Sequence, residues 1–177
     1  MRKNFGTKSW FYPLPVLIIG TYDENDIPDA MNAAWGGLYD ADKVVLCLSA
    51  GHKTTRNIKA KGAFTVSFAD AEHVVPADYV GLVSANSESK KMEKSGIHST
   101  KSAFVDAPLF DELPVTLECT FLRETEEGNI IGRIVNVCID ESVLDADGKL
   151  DLGKFHPISF EPVHNGYHVM GERVGNA

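Results

Sequence analysis

The sequence is poor in cysteine. Its three cysteines, Cys47, Cys119 and Cys138, are widely spaced, and no pair has the Cys-x-x-Cys spacing of many redox and metal motifs. An odd number at such distances also argues against a disulfide framework. Each cysteine lies in an apolar, strand-like run, and free cysteine is among the most buried residue types. We therefore expect three buried structural thiols, with a redox or metal role as the alternative.

Basic charge is also scarce. The 17 Lys and Arg residues are outnumbered by 25 Asp and Glu residues, which gives a formal net charge of −8 and a sequence pI near 5.2. Nucleic-acid-binding proteins normally carry a basic excess, so we expect no nucleic-acid partner. The 44% apolar and 24% charged residues are typical of a packed globular protein. The length predicts a single domain spanning residues 1–177.

Long apolar runs are absent too. The N-terminus has a basic start and an apolar stretch, as a secretion signal does, but Pro13 and Pro15 interrupt the stretch and no small-residue cleavage site follows it. The run is too short to span a membrane. We expect a cytoplasmic protein without a membrane partner, in which residues 15–23 form the first strand.

Strand-like runs dominate the chain, at residues 29–38, 43–49 and 63–69 in addition to the first strand. Helices are predicted only at 54–61, 72–84 and 87–94. For the first of these, Thr54 is a good N-cap and Gly62 a good C-terminal stop. Many short strands with few helices favour a β-barrel that carries peripheral helices.

Two hairpins are predicted in the C-terminal half. Residues 114–125 and 129–140 flank a short turn and form a long antiparallel pair. Asn165-Gly166 predicts a two-residue hairpin turn, in which residue 164 faces 167 and residue 163 faces 168. That register would place His164 and His168 on opposite faces of the hairpin, so we expect no metal site there.

Residues 49–58, SAGHKTTRNI, have the composition of an anion site. A strand leads into the Ala50-Gly51 turn, and the following helix would point free N–H groups and its positive dipole end at that turn. Basic and hydroxyl side chains add to it: Ser49, His52, Lys53, Thr54, Thr55 and Arg56. It is no Walker A loop, because His52 and not glycine precedes the lysine. A phosphate site and a plain strand-to-helix connection both remain open.

Residues 31–37, MNAAWGG, combine an amide, two small residues and a large aromatic one. Small residues beside an amide would let a flat ring come close to the backbone. A core strand with one tryptophan is the alternative, and composition alone favours it. The sequence has no G-x-G-x-x-G, so a Rossmann dinucleotide fold has no support.

Taken in order, these segments resemble the flavin reductase-like FMN-binding proteins, a split-barrel family that includes flavoredoxins and small flavin reductases. The resemblance covers nearly the whole chain. It rests on PLPVLIIGT (13–21), DAMNAAWGG (29–37), KVVLCLSAGHKTTRNI (43–58), GAFTVSF (62–68), VGLVSANSESKKMEKSG (80–96), DAPLFDELPVTLEC (106–119) and NIIGRIVNVCIDESVLDADGKLD (129–151).

The resemblance implies a mainly β fold with peripheral helices, a six-stranded split β-barrel of Greek-key character that binds FMN near a homodimer interface. It places the FMN phosphate against the strand-turn-helix, the isoalloxazine along the MNAAWGG segment, and the loop with Ser84 and Lys90 as a second wall. Relatives often have arginine where this chain has His52-Lys53, and lysine lacks the bidentate fork of arginine. The implied cofactor-binding residues are Asn32, Ala33, Ala34, Trp35, Ser49, Ala50, Gly51, His52, Lys53, Thr54, Thr55, Asn57, Ser84 and Lys90.

The activity implied by the resemblance is that of an FMN-dependent oxidoreductase. In the leading hypothesis the protein is an NAD(P)H-dependent flavin or ferric reductase, in which hydride passes to flavin N5 and no side chain acts as acid or base. The alternative is a flavoredoxin-type electron-transfer protein, which takes electrons from a redox protein partner. A third possibility is a non-catalytic protein that binds another phosphorylated ligand or haem.

Overall fold

The structure is a computed structural model that describes residues 1–176 of the chain. A short 3₁₀ turn, Glu141–Val143, follows the last strand of the main sheet. The strands are β1 (Leu14–Pro15), β2 (Leu17–Tyr22), β3 (Pro28–Ala33), β4 (Gly36–Asp40), β5 (Lys43–Leu46), β6 (Ala63–Phe68), β7 (Ser99–Lys101), β8 (Pro108–Phe110), β9 (Val115–Glu124), β10 (Ile130–Ile139), β11 (Ile158–Glu161) and β12 (Gly166–Val169), and the α-helices are α1 (Lys53–Lys61), α2 (Val74–Leu82) and α3 (Lys91–Ser95).

The main sheet is antiparallel and has the order β3-β2-β6-β9-β10-β5-β4. Its two edge strands, β3 and β4, are consecutive in the chain and are joined by Ala34 and Trp35 alone. In a flat sheet, six strand spacings of about 4.8 Å would separate the edges by about 29 Å. A link this short spans at most about 11 Å. The sheet must therefore curl until its edges meet at Ala34 and Trp35.

This curled sheet with helices at its periphery confirms the expected mainly β class, with seven strands in the main sheet where six were expected. The expected strand at 29–38 is divided into β3 and β4 by the link between the edges. The long hairpin is confirmed as β9 and β10, whose register shifts near Gly132. A Cβ at residue 132 would lie 2.3 Å from Cζ of Phe64, so a glycine lets the core phenylalanine pack against the strand.

Strand β2 is buried on both faces, which explains its unbroken apolar sequence. Ile19 belongs to the cluster inside the curled sheet, together with Phe64 and with Ile58 of α1. Ile18 belongs to a second cluster on the outer face, where Val80 of α2 packs. Burial of apolar surface on both sides stabilises this strand and fixes α1 and α2 against it.

The helix α1 begins one residue earlier than expected. His52, not Thr54, occupies the N-cap position, and its side chain makes no capping hydrogen bond. The predicted Thr54 cap is therefore wrong, because Thr54 is drawn into the helix and is buried. The predicted stop is confirmed: Gly62 ends the helix in the left-handed conformation, with φ of 68°. The other predicted helices are present but shorter, as α2 and α3.

The C-terminal hairpin differs from its prediction in register. Glu161 pairs with Gly166, so a four-residue loop replaces the expected two-residue turn. Asn165 adopts a left-handed conformation at the end of that loop, with φ of 58°. His164 lies in the loop beside Glu161, and His168 lies opposite Ser159 in the strand pair.

The cysteines are only partly as expected. Cys119 is buried, but Cys138 is half-buried and Cys47 is exposed. The prediction of a buried thiol is wrong for Cys47 because β5 ends at Leu46, and the chain leaves the sheet there. None of the helices in residues 1–176 is long and apolar enough to cross a membrane.

Candidate functional site

A groove of about 280 Å³ lies where β3, the start of α1 and the loop after α2 meet. We call it the α1 groove. Five of the expected site residues line it, although they come from three separate parts of the sequence. They are Asn32, His52, Lys53, Thr54 and Ser84.

The first turn of α1 faces this groove without a side-chain cap. The N–H groups of the first turn of a helix have no partner inside the helix, and His52 gives them none from its side chain. The preceding turn is held against the helix: Thr55 Oγ1 donates to the carbonyl of Ser49 at 2.9 Å, and Arg56 Nη1 donates to that of Gly51 at 3.1 Å. Free amides and the helix dipole together favour an anion at this position.

Lys53 adds a positive charge to the groove. Its Nζ lies 2.9 Å from Oδ2 of Asp23, a residue in the turn between β2 and β3. Burial opposes ionisation of Asp23, but hydrogen bonds from Lys53 and from the backbone N–H groups of Ile27 and Asn25 outweigh it and hold the pKa of that carboxyl below its usual value. The aspartate thus stays charged and anchors the lysine beside the helix start.

The floor of the α1 groove contains a buried pair that the sequence reading missed, Asp29 and Lys91. Asp29 is 2% exposed and Lys91 is 4% exposed. Lys91 Nζ lies 3.2 Å from Oδ1 of Asp29 and donates to the carbonyl of Ala30 at 2.5 Å. Thr54 Oγ1 lies 3.5 Å from the other oxygen of Asp29. The floor is therefore charged, and it adjoins the start of α1.

The neighbouring lysine, Lys90, was expected in this wall but lies outside the groove. It is exposed, with Nζ 3.8 Å from a carboxylate oxygen of Glu93. The residues occupy successive positions at the start of α3, and only the three-dimensional position of that helix decides that Lys91 points inward. The two adjacent lysines in the sequence indicated a basic residue in this wall, but they could not show which of the two, Lys90 or Lys91, faces the groove.

Asn32 lies at the centre of the site. Its Nδ2 donates to the carbonyl of Ala77 in α2 at 3.0 Å. Together with Gly81 and Leu82 it also lines a second groove, of about 230 Å³, which reaches Ala34 and Tyr167. We call this one the Tyr167 groove. The two grooves share these three residues and are therefore neighbours across Asn32.

Tyr167 closes the side of this second groove. Its hydroxyl donates to Asp78 Oδ1 at 2.7 Å. Burial and the adjacent carboxylate raise the pKa of Tyr167 to about 12, so the hydroxyl stays protonated and remains a donor. This hydrogen bond attaches the C-terminal hairpin to α2, the helix that carries the wall of the site.

A third groove, of about 470 Å³, continues from Ala34 to Trp35 and Cys47. We call it the Trp35 groove. The expected site segment 32–35 thus runs along three neighbouring grooves, from the start of α1 to the exposed Trp35. Because the Tyr167 groove shares Asn32 with the α1 groove and Ala34 with the Trp35 groove, the three together form one elongated depression.

Some expected site residues lie elsewhere. Ala33 is buried in the core opposite Leu17. Asn57 is buried and its Nδ2 donates to Thr21 Oγ1 at 3.0 Å, while Thr55 is buried within α1. Ser49, Ala50 and Gly51 form the exposed turn before the helix. The buried residues pack behind the groove lining, and the exposed turn lies at the rim of the site.

Comparison with known proteins defines the class. The model of the flavin reductase like domain family matches residues 9–159. No curated protein sequence matches the chain. The chain therefore belongs to the flavin reductase like domain family, as its sequence resemblance implied.

Among solved structures, the chain is similar to the flavoredoxin of Desulfovibrio vulgaris (Miyazaki F), with 35% identity and a TM-score of 0.95 over 100% of this chain and 97% of that one. It is also similar to the flavoredoxin from Methanosarcina acetivorans, with 26% identity and a TM-score of 0.89 over 100% and 96% of the two chains. An FMN-binding domain of a flavin reductases-like enzyme from Shewanella baltica shares the fold, with 18% identity and a TM-score of 0.81 over 92% and 89%. The split-barrel fold is thereby confirmed.

Proposed function

We propose that the chain is an oxidoreductase that binds FMN along the three neighbouring grooves. The observation that carries the proposal is the uncapped first turn of α1, with Lys53 beside it, at one end of a depression that reaches the exposed Trp35 at the other. The distribution of polar and aromatic groups along this depression suits a ligand with an anion at one end and a flat ring at the other.

The donors at the α1 end suit a phosphate. The backbone N–H groups at the start of α1 would donate to phosphate oxygens, and Lys53 would balance their charge. Asp23 holds Lys53 through a 2.9 Å contact, so the ammonium is already oriented before any ligand arrives. The exposed turn at Ser49, Ala50 and Gly51 leaves the approach open.

The other end suits a flat ring. Ala34 and Gly81 are small, so a ring can approach the backbone there. Trp35 is 61% exposed, so its aromatic face is available for stacking. Residues 32–35 would thus orient the ring, while α2 would shield one side of it from water.

FMN, when bound, supplies the hydride and electron chemistry of such a protein. The residues of this chain would bind the phosphate, orient the ring and leave one ring face accessible. We assign no acid or base to a side chain. In the first form of the proposal, NAD(P)H is the electron donor and the protein is a flavin or ferric reductase.

In the second form, a redox protein partner is the donor and the chain is a flavoredoxin-type electron carrier. The names of two neighbours above 25% identity, both flavoredoxins, favour this form. The net charge of −8 suits docking to a basic partner.

The test is the visible absorption spectrum of the protein, recorded after incubation with FMN and desalting, followed by anaerobic addition of NADH and then NADPH. A retained flavin band that either nucleotide bleaches rapidly supports the reductase. A retained band that neither bleaches supports the electron carrier. Failure to bind FMN, in this experiment and in a fluorescence titration that detects weak binding, contradicts both forms.

We also propose that residues 1–177 form a single domain that pairs as a homodimer. Strand β4 is an edge of the main sheet, and its Leu38 and Tyr39 are exposed by 73% and 52%. An apolar edge strand is a ready surface for a second copy. Light scattering tests the dimer: we expect a dimeric mass for the wild type and a monomeric mass for Leu38→Lys. Urea unfolding tests the single domain: we expect the monomeric variant to unfold in one cooperative transition.

A further inference from the structure

One oxygen on the floor of the α1 groove lacks a hydrogen-bond partner. Among buried side-chain nitrogen and oxygen atoms of residues 1–176, Asp29 Oδ1 is the one without a hydrogen bond. The residue is only 2% exposed and lines the groove. Buried polar atoms are nearly always hydrogen-bonded, because leaving one unpaired is costly. The unpaired oxygen therefore indicates that a ligand group donates a hydrogen bond to it.

The surroundings of this oxygen define the chemistry of that group. Lys91 Nζ is 3.2 Å away, which balances the charge but does not give hydrogen-bond geometry. The ammonium has three protons and gives one to the carbonyl of Ala30. An acceptor and a donor thus lie side by side. A hydroxyl group matches both, because it donates one hydrogen bond and accepts others.

The position of the pair relative to α1 defines where this hydroxyl sits in the ligand. Thr54, in the uncapped first turn of α1, lies 3.5 Å from the second oxygen of Asp29. The anion position and the hydroxyl position are therefore neighbours. A phosphate on a hydroxyl-bearing chain satisfies both at once, whereas a carboxylate on an alkyl chain, or a phosphate on a bare alkyl chain, satisfies only the first.

Building on the proposed FMN function, we infer that Asp29, together with Lys91, determines specificity for a phosphorylated polyol chain. In FMN this chain is the ribityl phosphate. Asp29 accepts a hydrogen bond from a chain hydroxyl, and Lys91 donates one to it. The pair thus selects the chain that links the phosphate to the ring, independently of the contacts to either end.

The first test needs no substitution. FMN is compared with a flavin that carries a 5-phosphopentyl chain at N10, which keeps the ring and the phosphate but has no hydroxyl groups. Hydrogen bonds to charged groups are the strong ones, so we expect the analogue to bind the wild type about 10- to 100-fold more weakly than FMN. Dissociation constants are measured by flavin fluorescence.

The second test uses variants. Asp29→Asn keeps the shape but removes the charge, so we expect the ratio of the two dissociation constants to fall. The double variant Asp29→Leu with Lys91→Met leaves no buried charge unpaired, and we expect its ratio to approach one. Asp26→Asn is the matched control. It makes the same chemical change three residues earlier, in the turn before β3, but Asp26 is exposed and pairs with Lys61 outside the groove, so its ratio should equal that of the wild type.

The outcomes separate this inference from the proposed function. Equal binding of FMN and the analogue by the wild type overturns the role of Asp29 and leaves FMN binding intact. A purely structural role for Asp29 would weaken both ligands together and leave the ratio unchanged, which also overturns the inference. Failure of the wild type to bind either flavin overturns the proposed function itself. If a variant fails to fold, the comparison of ligands on the wild type decides alone.

Discussion

Gly81 of α2 packs so closely against β3 that a Cβ at this position would lie 2.8 Å from the Cβ of Asn32. The atom it would meet is attached directly to the strand backbone and cannot move aside alone. The amide of Asn32 donates to Ala77, one turn earlier in the same helix. Helix α2 and strand β3 are therefore held together at the centre of the site.

This contact predicts that Gly81→Ala displaces α2 from β3. We expect the free energy of unfolding to fall by about 1–3 kcal/mol, the usual cost of overpacking, and FMN affinity to fall with it. Urea unfolding and fluorescence titration measure the two effects. Gly37→Ala is the control for stability alone, because a Cβ there would meet no heavy atom within 4 Å. A Gly81→Ala variant as stable as Gly37→Ala would show that α2 can shift freely.

Lys53 is predicted to act through the phosphate. We expect Lys53→Ala to weaken FMN binding about 10-fold, through loss of a charge-assisted interaction, and to leave binding of riboflavin, which has no phosphate, unchanged. Lys59→Ala removes the same charge from the last turn of α1, where Lys59 pairs with Glu124, and should have no effect. Equal losses in the two variants, measured by fluorescence titration, would mean that only the overall charge matters.

The rate of thiol modification at Cys47 tests whether the flavin ring occupies the Trp35 groove. It is exposed in the Trp35 groove, whereas burial, with a smaller effect from Glu118, raises the pKa of the Cys119 thiol to about 12. We expect a thiol reagent at pH 8 to modify Cys47 first and Cys119 only after unfolding. Bound FMN should slow the modification of Cys47. Cys47→Ser is the control for slow reaction at Cys138. Modification at the same rate with and without FMN would exclude the ring from this groove.

Glu161 is predicted to stabilise the folded protein at neutral pH and to lose this contribution in acid. The hydroxyl of Tyr12 donates to it at 2.5 Å, and this bond, with the N–H groups of Val163 and His164, lowers the pKa of Glu161 to about 2. A lowered folded-state pKa stabilises the protein above the unfolded-state value, near 4.5, and this contribution is lost as the pH falls towards 2.

The variant Glu161→Gln should therefore be less stable than the wild type at pH 7 and at pH 5, and the difference should shrink between pH 4.5 and pH 2. Urea unfolding at several pH values measures it. Tyr12→Phe removes the largest cause of the shift and should give a smaller effect with the same pH dependence. A stability difference that stays constant down to pH 2 would contradict the assignment.

Much of the architecture was predictable because it rests on local rules. Two strand-like runs on either side of a short turn predicted the β9–β10 hairpin, the apolar run at 15–23 predicted β2, and Gly62 predicted the end of α1. The two-residue turn at Asn165-Gly166 was wrong because Glu161 binds the backbone of Val163 and His164 and stabilises a longer loop. That carboxylate contact cannot be read from a turn motif.

The site was predictable where a local motif defines it and not where distant segments meet. The start of α1 was recognisable from its turn, its basic residues and its helix. The Asp29–Lys91 pair was not, since its members are 62 positions apart in the sequence and come together only because α3 packs on β3. For the same reason, the sequence pointed to Lys90 rather than to its neighbour.

The order of strands in the main sheet has a consequence for the newly made chain. Every residue proposed here to hold FMN precedes position 92, but the strands that join β6 to β5 are β9 and β10, which begin at Val115. Until these are made, no hydrogen-bonded strand joins β3-β2-β6 to β5-β4, and the side of the Trp35 groove that β5 forms is not fixed relative to α1. The binding residues are thus synthesised well before the strands that fix their relative positions. We expect the cofactor to bind only after the β9–β10 hairpin has closed the sheet.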